Sequence, residues 1–168
     1  MKKEQGFTLI EMFIVIAVIG ILAGIVLRGT AGFQQSARDT RRIGDLKNVQ
    51  TYLELYFNRC GHYPGDANCG NAIPTTWGDP ANPSSTSLVG ALSSVTSPSN
   101  ISKDPVSSRN YFYGVESTDL LQYLLGAKLE KDNKVLRDDI NTVPAGFTTT
   151  TGANCDNASP NFGYCIQS

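Results

Sequence analysis

The stretch GFTLIE, residues 6–11, opens a 21-residue apolar run at 7–27 in which Glu11 carries the only charge. About 20 apolar residues let a helix cross the hydrocarbon core of a bilayer, at about 1.5 Å per residue. A carboxylate within such a segment costs about 1 to 3 kcal/mol, depending on its depth. The run therefore predicts a membrane-crossing helix whose single acid needs a partner or a function.

A short basic leader that ends in glycine and continues as FTLIE resembles the processing and assembly signature of type IV pilins and type II secretion pseudopilins. The resemblance implies that a prepilin peptidase cuts between Gly6 and Phe7, and that Phe7 becomes the N-methylated terminus. Glu11 is then the acid five residues into the mature chain. It also implies polymerisation of the subunit into a homo-oligomeric helical filament on a pilus or secretion assembly platform.

The chemistry of the new terminus agrees with this role. Cleavage leaves an amine on Phe7 with a pKa of about 7.7 to 8.0, which is mostly cationic at neutral pH. When subunits are staggered along an axis, the Glu11 carboxylate can neutralise the Phe7 amine of a neighbour. Two charges that are costly in an apolar medium then satisfy each other only after assembly.

Two other interpretations of the segment stay open. A secretory signal peptide has a shorter apolar region, and here the step at 22–24 lies within continuing hydrophobicity. A plain single-span anchor accounts for the length but not for GFTLIE.

Lys2 and Lys3 predict a cytoplasmic leader with the rest of the chain outside. The expected location is the bacterial inner membrane as a precursor in contact with lipid, and then an extracellular pilus or a periplasmic pseudopilus.

Composition limits the remainder of the chain. The sequence has 14 basic and 15 acidic residues, and removal of the leader leaves 12 and 14. A balance this close to neutral predicts no general affinity for nucleic acid. We expect four parts: a leader at 1–6, a transmembrane assembly helix at 7–27, an amphipathic continuation at 28–60 and a globular head at 61–168.

The helix is predicted to continue because residues 34–60 contain no proline and a single glycine, Gly44. Apolar residues fall on one stripe of that helix and should face the head. Tyr52 and Leu55 point to the other side, toward neighbouring helices in a filament. The stripe comprises Ile43, Leu46, Val49, Leu53, Tyr56, Phe57 and Cys60.

Residues 38–47 are rich in charge and are expected to form a solvated, self-paired face above the membrane. Asp39 with Arg42, at a spacing of three, and Arg41 with Asp45, at a spacing of four, are helix-stabilising pairs. Contacts to a neighbouring subunit are the main alternative for this face, and phosphate binding is a weaker third.

The head is predicted to combine a long, loop-rich connection with a small antiparallel sheet. The connection, from Asp66 to about Asp104, holds one short helix at 86–95. Strands are expected at 110–116 and 120–129, with Gly126 as a bulge, and at 163–167. The fold class is therefore α+β, with a long N-terminal helix packed on a small antiparallel sheet, and this is the pilin architecture.

Four cysteines, Cys60, Cys69, Cys155 and Cys165, are expected outside the membrane, where disulfides are the default. They allow three connectivities. The local pairs Cys60–Cys69 and Cys155–Cys165 are favoured, in part because many pilins close a C-terminal loop in this way. A link from the helix to the tail and reduced thiols remain alternatives.

No catalytic, metal or cofactor site is expected. His62 is the only histidine, and no C-x-x-C pair, nucleotide-binding loop or G-x-S-x-G motif occurs. Asp104-Pro105 resembles the Asp-Pro turn of major pseudopilins, in some of which nearby oxygens bind calcium. The aromatic residue and the glycine that follow in that pattern are replaced here by Val106-Ser107.

The sequence thus predicts a structural filament subunit and not an enzyme. Within the family, a type II secretion pseudopilin or a minor pilin is the alternative. A monomeric, membrane-anchored extracytoplasmic binding protein is the alternative of another class, and in it Phe7 and Glu11 have no special role. An anchored enzyme is a more distant one.

Processing provides the first test. Because Gly6 has to fit a small pocket beside the cleaved bond, Gly6→Val should leave the six-residue leader attached and the protein in the membrane. Intact mass of the purified proteins measures this directly. A wild-type chain that still begins at Met1 would contradict the pilin interpretation.

Overall fold

The computed structural model describes residues 7–66, 69 and 74–168, with side chains for all of these except 27–31. Its first element, α1, is a helix of 52 residues, Leu9–Cys60. The chain divides into two compact units, one extending through Ala37 and the other from Arg38 to Ser168. The C-terminal part of α1 therefore belongs to the same unit as the sheet.

In the described residues of the second unit, a short helix and 3-10 turns accompany one sheet. Helix α2 is Leu88–Leu92, and the 3-10 turns are Pro98–Asn100 and Lys134–Arg137. The strands are β1 at Phe112–Glu116, β2 at Tyr123–Lys128, β3 at Phe147–Thr149 and β4 at Gly163–Gln167. They form an antiparallel sheet in the order β3-β1-β2-β4. The predicted α+β class is confirmed.

The core of this unit forms where the stripe of α1 meets the sheet. Leu46, Val49, Leu53 and Tyr56 are fully buried and belong to one apolar cluster with residues of β1 and β2. Tyr52 is partly buried against the same cluster, so its predicted position on the opposite face is wrong. A tyrosine at the margin of a stripe is long enough to reach the core from the side.

The sheet differs from expectation in three places. Leu120 lies in the turn before β2, with φ of 58°, and β2 begins only at Tyr123. Gly126 forms no bulge, since it pairs regularly with Phe112 and with Cys165. Glycine is needed at position 126 for a different reason. A Cβ there would collide with the Phe112 ring. Strand β3 was not predicted, because three residues carry too little periodicity.

A buried network of charges surrounds Arg42, whose side chain is fully buried. Its guanidinium donates to both carboxylate oxygens of Asp104, at 2.7 and 2.8 Å. It also donates to Asp39 at 2.7 Å and to Glu130 at 2.8 Å. Arg38 adds a second bidentate pair to Glu130, at 2.7 and 2.6 Å. One arginine thus connects α1 with the loops before β1 and after β2.

The prediction of a solvated charged face at 38–47 is therefore wrong for Asp39, Arg42 and Asp45, which are buried, although the pair between Asp39 and Arg42 forms at 2.7 Å. Asp39 also accepts the backbone N–H groups of Glu130 at 2.9 and 3.1 Å and of Lys131 at 3.2 Å. These partners are about 90 residues away in sequence. Local spacing reveals the pair within the helix but not the distant partners that allow its burial.

Loss of the Arg42 guanidinium should be far more costly than loss of an exposed one. Arg42→Met leaves three carboxylates without their shared cation, and we expect a loss of about 3 to 5 kcal/mol in the free energy of unfolding. Arg41→Met is the matched control, because that side chain is 60% exposed and its pair with Asp45 spans 3.7 Å. Urea unfolding followed by fluorescence of Trp77, the only tryptophan, measures both. Equal losses in the two variants would contradict the special role of Arg42.

The same network predicts an acid-sensitive head. Hydrogen bonds from Arg38 and then Arg42 lower the pKa of Glu130 from an ordinary value of 4.5 to about 2. Between these values the unfolded chain binds more protons than the folded one, so the contribution of Glu130 is lost as pH falls. Glu130→Gln should flatten the dependence of unfolding free energy on pH between about 4.5 and 2, whereas Asp132→Asn, at a neighbouring exposed site, should not. Identical profiles for wild type and Glu130→Gln would refute this.

Candidate assembly site at the N-terminus

The N-terminal part of α1 is apolar on every side. Residues Leu9–Val26 have a mean hydropathy of 2.8, and none of this window is buried within the chain. By length and composition it is sufficient to cross a membrane. Soluble monomers rarely expose a continuous apolar surface of this size. The segment is therefore long and apolar enough to be surrounded by lipid or by other helices.

The start of α1 is closed by a reciprocal cap between Thr8 and Glu11. Glu11 Oε2 accepts the Thr8 backbone N–H at 2.8 Å and the Thr8 hydroxyl at 2.7 Å. The Glu11 N–H donates to Thr8 Oγ1 at 3.4 Å. This is a capping box, in which the first residue before the helix and the third within it satisfy each other.

The structure thus assigns the lone acid a local partner that the sequence interpretation overlooked, although T-x-x-E before an apolar run is a readable signal. Phe7 directly precedes the cap and is 80% exposed. Gly6 and the rest of the leader lie outside the described residues. Among the predicted processing and assembly residues, Phe7 and Glu11 are therefore the two whose positions are described.

Two disulfides join the cysteines in local pairs. Cys60 is bonded to Cys69, with Cα atoms 5.8 Å apart, and Cys155 to Cys165, with Cα atoms 5.5 Å apart. The first closes the chain immediately after α1. The second ties the final loop to β4, where the Cys165 N–H also donates to Asp139 Oδ2 at 3.0 Å. Both ends of the head are therefore held by covalent loops.

The Asp-Pro turn before β1 uses its carboxylate within the protein. Both oxygens of Asp104 accept from Arg42, and Oδ1 also accepts the Val106 N–H at 2.8 Å. Over residues 7–66, 69 and 74–168, no group of three or more His, Cys, Asp or Glu side chains is placed to hold a metal ion. The charges of this turn thus serve packing.

Comparison with known proteins agrees with the geometry of the N-terminus. Residues 1–27 match the family model described as the prokaryotic N-terminal methylation motif. The type II secretion system core protein G of Escherichia coli strain K12 is 34% identical over 62 residues, which are 37% of this chain and 43% of that protein. The type IV major pilin protein PilA of Myxococcus xanthus is 36% identical over 66 residues, or 39% and 30% of the two chains.

A third relative is the fimbrial protein Q of Moraxella bovis, 43% identical over 54 residues, which are 32% of this chain and 34% of that protein. This chain thus spans less than half of the length of each of these three relatives. No solved structure matches the chain significantly. The methylation motif, the exposed apolar helix with its single acid and these relatives lead to one conclusion: the N-terminal part of the chain is similar to type IV pilins and type II secretion pseudopilins.

Proposed function

We propose that the chain is a structural subunit of a type IV pilus-like filament. It is made as a single-pass precursor of the inner membrane with a cytoplasmic N-terminus. A prepilin peptidase cuts it between Gly6 and Phe7, and an assembly platform polymerises it through α1. The observation that carries the proposal is the wholly exposed apolar helix bearing one acid within a methylation motif.

The physical argument concerns what drives a helix from lipid into a filament. Lipid tails are as apolar as leucine, so transfer from lipid to a bundle of helices gains little hydrophobic free energy. A polar interaction that is poor in lipid and good in the filament can decide the outcome. The Glu11 carboxylate and the Phe7 amine of a neighbour form such a pair, because an unpaired ammonium in apolar surroundings costs several kcal/mol.

The cap between Thr8 and Glu11 is compatible with that pair. Thr8 contacts Oε2 of the carboxylate. A carboxylate accepts about four hydrogen bonds, so it can keep its cap and still receive an amine from another subunit. In the monomer the cap stabilises the start of α1, and in the filament the same charge holds the neighbour.

A pseudopilin of a type II secretion system is the second candidate, and the relatives named core protein G favour it. It uses the same processing and the same helix but forms a periplasmic filament. A monomeric membrane-anchored binding protein is the candidate of another class. It predicts no polymer in any compartment, so material sheared from cells separates it from a pilin.

Substitution of Glu11 tests the assembly mechanism. Glu11→Leu and Glu11→Gln should both insert in the membrane and be cleaved to begin at Phe7, since neither changes the cleavage site. Both should fail to form filaments, because both lack the charge that pairs with the neighbour's amine. The yield of sheared filament, with the intact mass of the membrane-bound protein, measures the two steps separately.

The two Glu11 variants differ in whether residue 11 can still accept hydrogen bonds from Thr8. A third variant tests the contribution of this cap alone. Glutamine keeps an oxygen that can accept from Thr8, whereas leucine does not. Thr8→Val loses the capping hydroxyl at a cost of about 1 kcal/mol but keeps the carboxylate, so it should still assemble. Assembly of Glu11→Gln but not Glu11→Leu would assign the effect to the cap. Normal filaments from both would show that the Glu11 charge does not determine assembly, whereas the absence of sheared polymer from wild type would favour the anchored monomer.

A further inference from the structure

Two cavities on the head adjoin each other at Arg109 and Asn110. The first has a volume of about 300 Å³ and is also lined by Trp77 and Lys103. The second has a volume of about 340 Å³ and is also lined by Lys128. Each is at the lower end of the size range of small-ligand pockets, and their linings share Arg109 and Asn110. We call the two cavities together the Arg109 groove.

The charge in the groove is unbalanced at one end. In the first cavity Asp79 pairs with Lys103 at 2.6 Å, and Asp104 pairs with the buried Arg42. Among the residues that the structure describes, no acidic one lines the second cavity, where Arg109 and Lys128 lie. Within the described part of the chain, neither of these cations has an ion-pair partner. The second cavity is therefore a small polar space with two uncompensated positive charges.

Hydrogen bonds hold the turn that carries Arg109 into the groove. The Asp104 carboxylate, held by Arg42, accepts the Val106 N–H at 2.8 Å. The Val106 carbonyl accepts the Arg109 N–H at 2.9 Å, which closes the turn that carries Arg109. The guanidinium then donates to the Lys128 carbonyl at 3.2 Å, at the end of β2. Among the described residues that is its one side-chain hydrogen bond, so four of its five N–H donors remain for a ligand.

We propose that the Arg109 groove binds an acidic sugar, with the sugar carboxylate at Arg109 and Lys128. An arginine fork matches a carboxylate in both shape and charge. The remaining lining of the second cavity supplies hydroxyl and amide groups for the ring hydroxyls, from Ser108, Asn110 and Thr151. A uronic acid carries both kinds of group on one ring.

Nucleic acid fits these observations less well. Its affinity comes from many phosphate contacts along an extended backbone, whereas this groove offers two free cations in a recessed space. The whole chain has a net charge of −1, which gives no long-range attraction for a polyanion. A ligand with one carboxylate per ring and several hydroxyls matches the two cations and the hydroxyl and amide groups of the groove.

Binding of trigalacturonate to the processed full-length chain in a non-ionic detergent tests the proposal. Trp77 lines the first cavity, so its fluorescence and isothermal titration calorimetry provide two measurements. We expect saturable binding of trigalacturonate and none of the neutral maltotriose. The double variant Arg109→Ala and Lys128→Ala should bind at least about tenfold more weakly. No binding of trigalacturonate, or equal binding of maltotriose, would overturn the proposal.

Two further variants separate charge, shape and folding. Lys134→Ala with Arg137→Ala removes the same total charge at exposed positions outside the groove and should change the affinity by less than about twofold. Ser108→Trp keeps both cations but fills the second cavity, and it should abolish binding while the thermal unfolding temperature is retained. Unchanged affinity in Ser108→Trp, or tighter binding of a single-stranded oligonucleotide than of trigalacturonate, would refute the site.

Discussion

The guanidinium of Arg42 is the interaction on which the head depends. It is fully buried, and its partners come from α1 itself, from the loop before β1 and from the loop after β2. A buried ion pair is weak evidence for net stability, because desolvation offsets the attraction. Its value here is in specificity. Three carboxylates can be buried together only if the two loops meet the helix at the level of Arg42, and this sets the register of the sheet against α1.

The same interaction supports the surface above it. The Asp104 carboxylate accepts hydrogen bonds from Arg42 and from the Val106 N–H. It thereby orders the turn that leads to Arg109. The buried Arg42 thus helps to position Arg109 in the groove, through the Asp104 carboxylate and the turn that follows it. Rigid support of this kind reduces the entropy that a site loses when a ligand binds.

One continuous helix serves two different environments. Its first turns carry apolar side chains in all directions, as lipid or a bundle of helices requires. Its last turns are amphipathic and bury Leu46, Val49 and Leu53 against the sheet. The capping box of Thr8 and Glu11 stabilises the start of the helix. We propose that the same acid also selects the assembled state.

Much of this protein is determined by local sequence. The long apolar run, the stripe at 43–60 and the strand at 163–167 follow from the periodicity of single segments, and the methylation motif is a string of adjacent residues. The fate of the charges at 38–47 was decided only by the tertiary structure. Whether Asp39 and Arg42 are exposed to water or buried in the core depends on Asp104 and Glu130. The spacing of residues along the helix does not predict these two distant partners. The groove at Arg109 likewise exists only because the turn after Asp104 and the end of β2, distant in sequence, meet in space. Short-range patterns specify helices and strands through local hydrogen bonds and one-sided burial, whereas buried charge and binding cavities arise from contacts that only the folded chain creates.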